Sequence, residues 1–206
     1  MQNNKLNVAV LVSGGGTNLQ ALIDAEKNGI IKNGAIKLVV SNKPDVYALE
    51  RAKNSGIKNI VINKKQLGSQ ELFESVLTNT LEKNGIDVIV LAGFMSILTE
   101  KFVKRYPKRI INVHPSLIPS FCGMGYYGLK VHENALEKGV KVTGATVHFV
   151  NEIADDGEII MQKAVCINKK DTPESLQLRV MKNAEWKILP KSLEKVCKDI
   201  IKHKEN

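Results

Sequence analysis

Short apolar runs alternate with segments of helical period along the first 114 residues, and this alternation strongly constrains the fold. The apolar runs are NVAVLVS, AIKLVVSN, NIVIN, DVIVLAGF and RIINVH. Between them lie four segments in which apolar residues recur every three or four positions. Strands that are apolar throughout are typical of a parallel sheet covered on both faces. The pattern therefore predicts an α/β fold: an open, mostly parallel twisted sheet with helices on both faces.

The pattern changes after Pro115. A loop rich in glycine, proline and aromatic residues covers 115–128, and a helix, VHENALEKG, follows it. The strand candidates TGATVHFV and EIIMQKAVCI are joined by NEIADDG, which predicts an antiparallel hairpin extending the sheet. From Thr172 onward the pattern is helical, and Pro190 predicts an interruption or kink. We find no internal repeat and no domain linker, so a single domain is expected.

The composition argues against several classes of protein. The net charge is +9, but the lysines are scattered and aromatic residues make up only 5%. That combination does not favour a nucleic-acid-binding surface. The longest apolar runs are too short to cross a bilayer, and we expect no signal peptide. Cys122, Cys166 and Cys197 are far apart, which argues against a metal site and favours a reducing, cytoplasmic location.

A glycine-rich segment, VSGGGTNLQ, joins the first strand to the first helix. At this point a parallel sheet offers backbone N–H groups and a helix N-terminus to an anion, and Thr17 and Asn18 can add side-chain donors. The segment matches neither the Walker phosphate-binding motif nor the dinucleotide motif, because Leu19 replaces the third glycine of the latter. The hypothesis is a site for a single phosphate; the alternative is a tight turn that happens to be glycine-rich.

The fifth apolar run ends by presenting Asn112 and His114. Side chains at i and i+2 on a strand point the same way, so these two converge at the carboxyl edge of the sheet. An amide beside an imidazole can stabilise an oxyanion and manage a proton. No nucleophilic serine or cysteine is needed if the substrate brings its own amine. The alternative is that both residues merely cap the strand end.

A carboxylate near His114 would favour the charged imidazole. Asp155 and Asp156 are the candidates, although local sequence alone favours a simple turn there. His148 is a second possible polar group, but a histidine within a strand is more often simply packed. His132 and His203 are predicted to be surface residues of helices.

Seven segments, in this order, resemble the phosphoribosylglycinamide formyltransferase family of folate-dependent enzymes in purine biosynthesis. They are AVLVSGGGTNLQALID, VVSNKPDVYALERA, VIVLAGFMSIL, INVHPSLIP, GATVHFV, DDGEIIMQ and AEWKILP, within about Val8 to Pro190. The resemblance implies that family's Rossmann-like fold in one domain over 1–206. It also implies a phosphate-binding half of about 1–100 and a folate-binding and catalytic half of about 101–206.

The resemblance further implies a reaction and its residues. The amine of glycinamide ribonucleotide would attack the formyl carbon of 10-formyltetrahydrofolate, a co-substrate, without a metal. Asn112 and His114 would stabilise the oxyanion, and Asp155 would keep His114 charged. The residues implied to bind the ribonucleotide are Gly16, Thr17, Asn18, Lys182 and Glu185.

The folate, by the same resemblance, would be bound largely by backbone groups. The residues implied are Gln70, Met95, Ser96, Ile97, Leu98, Asn112, Val150 and Asn151. This chain departs from the family at Ser96 and Gln70, where arginine is common, and at Trp186, where histidine is usual and which we interpret as packing. The flexible 115–128 loop would suit closure over the substrate.

Other functions remain open from the sequence. Formyltetrahydrofolate deformylase uses a similar Asn, His and Asp set with water as the acceptor, but it carries an additional N-terminal domain. Methionyl-tRNA formyltransferase needs an additional C-terminal domain, so chain length argues against both. A non-catalytic module that binds nucleotide phosphate would leave Asn112, His114 and Asp155 unexplained. The expected partners are small-molecule substrates, not nucleic acid or membrane, for a monomer or a homodimer.

Overall fold

The computed structural model describes residues 5–205, which contain one seven-stranded sheet. The strand order is β3-β2-β1-β4-β5-β6-β7. Strands β1 to β5 run parallel, whereas β6 pairs antiparallel with β5 and β7 pairs antiparallel with β6. The strands are β1 Leu6–Val12, β2 Gly34–Ser41, β3 Lys58–Val61, β4 Val88–Leu91, β5 Ile110–His114, β6 Val142–Phe149 and β7 Ile159–Cys166. The predicted mostly parallel sheet and its antiparallel C-terminal extension are both confirmed.

Helices lie in every connection between strands except the one between β6 and β7, and two more follow β7. They are α1 Thr17–Lys27, α2 Tyr47–Asn54, α3 Lys64–Leu67, α4 Gln70–Lys83, α5 Glu100–Val103, α6 Leu129–Glu137, α7 Pro173–Val180 and α8 Trp186–Glu205. A π-helical turn, Met181–Glu185, separates α7 from α8. Polar side chains begin several helices: Ser69 accepts from Leu72 N at 3.1 Å, and Thr172 forms a reciprocal cap with Ser175.

Alternate side chains of the central strand β1 enter two separate cores. Val8 and Val10 belong to the core beneath α1, α2, α7 and α8, whereas Ala9 and Leu11 belong to the core beneath α4 and α5. All four side chains are 0% exposed. This double burial explains why the strand is apolar at every position and confirms the prediction of helices on both faces. The division into phosphate-binding and catalytic halves stays a prediction.

The predicted interruption at Pro190 is wrong, whereas the alternative of a kink there stays a prediction. Helix α8 continues through Pro190, which is buried, and the irregular stretch is the π-helical turn directly before Trp186. Pro190 has no N–H to offer the carbonyl of Trp186, one turn earlier. The helix continues past this one missing hydrogen bond, and the π-helical turn lies immediately upstream of that carbonyl.

The connections of the sheet reverse their direction at β1. Strands β2 and β3 follow on one side of it, and β4 and β5 follow on the other. In an open parallel sheet, the carboxyl edge at such a switch point forms a crevice. The segments that leave β1, β4 and β5 all start at this edge, so the glycine loop, the 92–99 loop and the His114 end of β5 lie around one crevice.

Candidate active site

The glycine loop between β1 and α1 is clamped by α2. Gly16 has φ 70°, and a Cβ placed on it would lie 2.7 Å from Ala48 Cβ. Ala48 N donates to Gly14 O at 3.1 Å, and Arg51 Nε donates to Gly15 O at 2.9 Å. Only glycine suits position 16, because it allows both the left-handed backbone and the close approach of α2.

Asn18 and Glu185 form a buried pair beside the glycine loop. Asn18 Nδ2 donates to Glu185 Oε2 at 2.6 Å, and the two residues are 8% and 4% exposed. Burial raises the pKa of Glu185 to about 7, against the opposing hydrogen bond from Asn18. Within the described residues, Asn18 Oδ1 has no hydrogen-bond partner. The structure thus joins two of the residues predicted to bind the ribonucleotide.

The other predicted ribonucleotide residues lie around this pair. Thr17 is the first residue of α1 and, with Arg51 and Trp186, lines a small hollow of about 150 Å³. Lys182 is exposed on the π-helical turn, three residues before Glu185. The half-buried Trp186 is therefore a wall of this hollow, and its interpretation as a packing residue stays a prediction.

Strand β5 carries Asn112 and His114 to the carboxyl edge on the same face. His114 is 4% exposed, and its Nε2 lies 2.8 Å from the carbonyl oxygen of Phe121 in the following loop. Because a carbonyl can only accept, Nε2 carries a proton. The convergence predicted from the i, i+2 spacing is present, and the loop after β5 contacts the imidazole directly.

Asp155 joins this pair from the β6–β7 connection. Its Oδ2 lies 3.4 Å from His114 Nδ1 and accepts from Gly123 N at 2.9 Å, and its Oδ1 accepts from Asn112 Nδ2 at 3.4 Å. Asp156 is exposed and accepts instead from Asn151 Nδ2 at 3.3 Å. Of the two neighbouring carboxylates, Asp155 is the one beside His114.

In this cluster, burial and the neighbouring polar groups shift the pKa values of His114 and Asp155 in opposite directions. Burial lowers the pKa of His114, although the charge of Asp155 and the Phe121 carbonyl favour the imidazolium. Burial raises the pKa of Asp155, but hydrogen bonding to His148 and the charge of His114 more than offset this and hold that pKa below its ordinary value. The cluster thus pairs an ionised carboxylate with an imidazole whose charge depends on that carboxylate.

His148 is the group that sequence reasoning underestimated. It lies opposite Asn112 in the β5–β6 ladder, 2% exposed, with Nε2 3.2 Å from Asn112 Nδ2 and 3.5 Å from Asp155 Oδ1. Its Nδ1 lies 2.8 Å from the carbonyl oxygen of Phe149, which assigns a proton to Nδ1. The sequence could have indicated this position for His148. In an antiparallel pair, each side chain of one strand lies beside a side chain of the other, and His148 pairs with Asn112.

His132 corrects the prediction of a surface residue. It lies in α6 with 0% exposure, and neither ring nitrogen has a hydrogen-bond partner within the described residues. Burial, with a smaller contribution from the nearby charge of His114, lowers the pKa of His132 to about 4. His203, the other predicted surface histidine, is exposed as expected.

The 92–99 loop after β4 carries four of the predicted folate residues. Met95 and Ile97 are 48% and 65% exposed, whereas Leu98 is buried in the core beneath α4. Met95 N already donates to Ser13 Oγ at 2.8 Å, and the Ile97 carbonyl accepts from Gln70 Nε2 at 3.0 Å. The loop presents two apolar side chains to solvent while part of its backbone is bound internally.

A buried carboxylate fixes this loop from α4. Glu74 is 8% exposed, and its Oε1 accepts from Thr99 N and from Gln70 Nε2, each at 2.6 Å. Thr99 Oγ1 donates to the second carboxylate oxygen. Gln70 is therefore held by Glu74 and Ile97, and its predicted folate contact would compete with these bonds.

The remaining predicted folate residues follow β6. Val150 N donates to Ile110 O at 2.9 Å, which continues the pairing with β5. Asn151 Oδ1 accepts from Ile153 N at 3.1 Å and so shapes the turn that leads to Asp155. Gly157 closes this turn, because a Cβ there would lie 1.7 Å from the carbonyl oxygen of Phe149.

Three general properties of residues 5–205 frame the site. No helix among them is long and apolar enough to cross a membrane. The same residues contain no group of three or more histidine, cysteine or acidic side chains placed to hold a metal ion. All three cysteines are free.

Comparison with known proteins places this geometry in context. Residues 6–193 match the family described as formyl transferase. The chain is 47% identical over 197 residues to the trifunctional purine biosynthetic protein adenosine-3 of Gallus gallus, covering 96% of this chain and 19% of that protein. It is 41% identical over 175 residues to the phosphoribosylglycinamide formyltransferase of Escherichia coli, covering 85% of this chain and 80% of that one.

A solved structure supports the same relationship. Glycinamide ribonucleotide transformylase 1 from Symbiobacterium toebii superposes with a TM-score of 0.89 at 37% identity, covering 96% of this chain and 90% of that chain. The present chain spans 14% of the length of some trifunctional relatives that it matches and 20% of others.

Proposed function

The chain belongs to the formyl transferase family, and from that premise we propose that it is a phosphoribosylglycinamide formyltransferase. It would transfer the formyl group of 10-formyltetrahydrofolate to the amine of glycinamide ribonucleotide, in purine biosynthesis. The names of its relatives and the resemblance of its motifs support this activity. The observation that carries the proposal is the cluster of Asn112, His114 and Asp155 at the same carboxyl edge of the sheet as the glycine loop.

The proposed chemistry follows from the donors in that cluster. The substrate amine attacks the formyl carbon, a C–N bond forms, and the carbonyl oxygen becomes an oxyanion. Asn112 Nδ2 and the imidazolium of His114 stabilise that oxygen, and Asp155 stabilises the imidazolium. The C–N bond to the folate then breaks, the amine loses a proton, and the folate nitrogen gains one, with His114 moving the proton.

The ribonucleotide has a suitable site on the β1 side of the crevice. Its phosphate would lie against the glycine loop, where Gly16, Thr17 and Asn18 begin α1. Asn18 and Glu185 would face the sugar. Asn18 Oδ1 is a hydrogen-bond acceptor that has no donor among the described residues, so it could accept from a sugar hydroxyl. Lys182 would add a positive charge from the solvent side.

The folate has a suitable site on the β4 side. The exposed side chains of Met95 and Ile97 offer an apolar surface for its rings. The 150–155 turn closes the opposite wall beside Asp155. The cytoplasmic location, and the choice between a monomer and a homodimer, stay predictions.

The decisive experiment measures tetrahydrofolate release from 10-formyltetrahydrofolate with and without glycinamide ribonucleotide. Release that needs the ribonucleotide is expected; release without it would identify a deformylase. No release from the folded protein would leave only a phosphate-binding module. His114→Ala should abolish turnover with ribonucleotide affinity mostly kept, while the exposed His203→Ala serves as the matched control.

A further inference from the structure

A hollow of about 610 Å³ lies between α1, β7 and the start of α8. This α1–α8 hollow has an apolar lining, which includes Ala25, Ile30, Met161, Trp186, Ile188 and Pro190. Its volume falls within the range of about 300–1,000 Å³ that is usual for small-molecule sites. None of the residues proposed to bind or to transform the substrates takes part in the lining. The hollow is therefore a compartment outside the proposed active site.

The rim of the α1–α8 hollow is positively charged. Lys163 lies on β7, and Lys187 and Lys191, which are one helical turn apart, share a face of α8. All three are exposed, and across residues 5–205 no ion pair involves any of them. Asp24 is the one acidic residue of the described lining, so the hollow carries a net charge of +2. A phosphate monoester carries roughly −1.5 to −2 at pH 7, which complements this charge.

Trp186 gives the hollow an aromatic wall. Its Nε1 is buried, so the exposed part of the half-buried indole ring consists of carbon atoms, on which a nucleobase can stack. Asp24 and Asn28 lie four residues apart at the end of α1, where they present a carboxylate and an amide to the edge of such a base. The lining thus offers a surface for a flat heterocycle, polar partners for its edge and positive charge for a phosphate.

The α1–α8 hollow shares a wall with the proposed ribonucleotide pocket. Ala21, Asp24 and Trp186 line both this hollow and the smaller one of about 150 Å³ at the first turn of α1. Trp186 also follows Glu185 directly in the chain. Two anions bound on either side of this wall would repel each other, and each would weaken the binding of the other by the same factor.

We propose that the α1–α8 hollow is a second binding site, which takes a nucleoside monophosphate. The base lies against Trp186, and Lys163, Lys187 and Lys191 bind the phosphate. Occupancy weakens ribonucleotide binding without excluding it, because the two ligands use separate hollows. The inference goes beyond the proposed function, since binding at this site does not depend on formyl transfer.

The first experiment measures AMP binding while glycinamide ribonucleotide is held at saturation. Trp186 is the only tryptophan of the chain, so its fluorescence reports directly on the hollow. AMP should still change this fluorescence, and calorimetry should give one AMP bound per chain. In kinetic assays, AMP should raise the KM for the ribonucleotide to a plateau of roughly threefold, the size expected for two screened anions. A competitive inhibitor would instead raise that KM without limit.

Fragments of AMP test the two parts of the site separately. Adenosine keeps the base and lacks the phosphate, whereas ribose 5-phosphate keeps the phosphate and lacks the base. Each should bind at least about tenfold more weakly than AMP, because each loses either the charge contacts or the stacking. Rising salt should weaken the binding of AMP and leave that of adenosine nearly unchanged.

Changing Lys163, Lys187 and Lys191 together to Gln should weaken AMP binding about tenfold. The kcat and both KM values measured without AMP should stay within roughly twofold, because none of the three lysines belongs to the proposed active site. Changing the same three lysines to Arg should preserve AMP binding, since the charges remain.

The matched control changes Lys138, Lys169 and Lys170 to Gln. These lysines are also exposed and lie outside the described lining of the hollow, and the same three charges are lost from a chain of net charge +9. AMP binding should be weakened by less than about twofold in this control. Equal weakening in the two triple Gln variants would reduce the effect to net charge and overturn the inference.

Two further results would also overturn the inference: no AMP binding at millimolar concentration, or complete displacement of AMP by the ribonucleotide. Complete displacement would place the nucleotide in the proposed ribonucleotide pocket. A failure of the proposed function has a different signature. In that case the protein would bind AMP through the three lysines, yet release no tetrahydrofolate when the ribonucleotide is added.

Discussion

His114 Nδ1 lies 3.4 Å from Asp155 Oδ2, while His114 Nε2 lies 2.8 Å from the carbonyl oxygen of Phe121. Both ring nitrogens thus face acceptors, which is the environment of an imidazolium, yet burial lowers the pKa of the ring. Phe121 itself has φ 50°, an unusual backbone for a residue other than glycine. The charge of His114 therefore depends on Asp155, and its Nε2 is engaged by a loop that would have to release it for chemistry.

Asp155→Asn should lower kcat roughly 100-fold or more, with the KM for the ribonucleotide nearly unchanged. The carboxylate favours the charged imidazole, so its removal lowers the pKa of His114 further. If His114 acts as the imidazolium, activity is lost as pH rises through that pKa. The alkaline limb of the kcat profile should therefore move to lower pH in the variant.

Asp156→Asn is the control for this change. Asp156 is the next carboxylate along the chain, exposed and bonded to Asn151 rather than to His114. The kcat profile of this variant should match that of the unmodified protein. Equal losses in the two variants would contradict a specific role for Asp155.

Gly16→Ala should destabilise the protein by about 3 kcal/mol. The substitution combines a left-handed backbone with a contact of 2.7 Å to Ala48 Cβ, so α2 would have to move. Thermal unfolding should show a Tm lower by roughly 10 °C. Gly14→Ala is the control, since nothing lies within 4 Å of its added Cβ and its φ is not positive.

Glu185→Gln should change how stability depends on pH. The folded-state pKa of about 7 lies above the ordinary value of 4.5, so the contribution of Glu185 is greatest below pH 4.5 and is lost as pH rises toward 7. Between pH 5 and pH 8 the unmodified protein should lose about 2 to 3 kcal/mol relative to the variant. Urea unfolding at the two pH values measures the difference. Parallel curves would show that Glu185 titrates normally.

His132→Leu should change the pH dependence of stability in the opposite direction. The folded-state pKa of about 4 lies below the ordinary value of 6.5, so the neutral form stabilises the fold above pH 6.5, and that contribution falls away as pH drops toward 4. Between pH 7.5 and pH 5 the unmodified protein should lose about 2 kcal/mol relative to the variant. The exposed His203→Leu should show no such difference in the same unfolding experiment.

Glu74→Gln should weaken folate binding without touching the His114 cluster. Glu74 accepts hydrogen bonds from Gln70, from Thr99 N and from Thr99 Oγ1 on its two carboxylate oxygens, and in glutamine one of those oxygens is replaced by an NH2 group that cannot accept. The 92–99 loop then loses an anchor, and the KM for the folate should rise by roughly three- to tenfold at similar kcat. Glu71→Gln, one residue into the first turn of the same helix, is the control.

The sheet was predictable because strands that are buried on both faces are apolar at every position. A strand such as β1 must be apolar at every position, and the helices between strands must carry one apolar face. Asn112 and His114 were predictable for a similar reason, since the i, i+2 relation is local. The position of the π-helical turn could not be predicted. A proline in a helix shows that one backbone hydrogen bond is missing, but it does not show which turn of the helix is irregular.

Residues whose environment comes from distant segments escaped sequence reasoning. The sequence around His132 does not indicate that the side chain is fully buried, because the burial comes from tertiary packing rather than from α6 itself. His148 became informative only once β6 was known to pair with β5 and to place it opposite Asn112. Glu74 has the sequence context of a solvated helix residue, yet it is buried against Thr99.

The buried bond between Asn18 and Glu185 joins positions 167 residues apart. During synthesis, the glycine loop and the first strands emerge long before the segment that contains Glu185 has been made. Contacts between such distant positions form late, since the intervening chain must be ordered first. The pocket proposed for the ribonucleotide is therefore completed near the end of folding. An incomplete chain emerging from the ribosome would carry the glycine loop but not the carboxylate that pairs with Asn18.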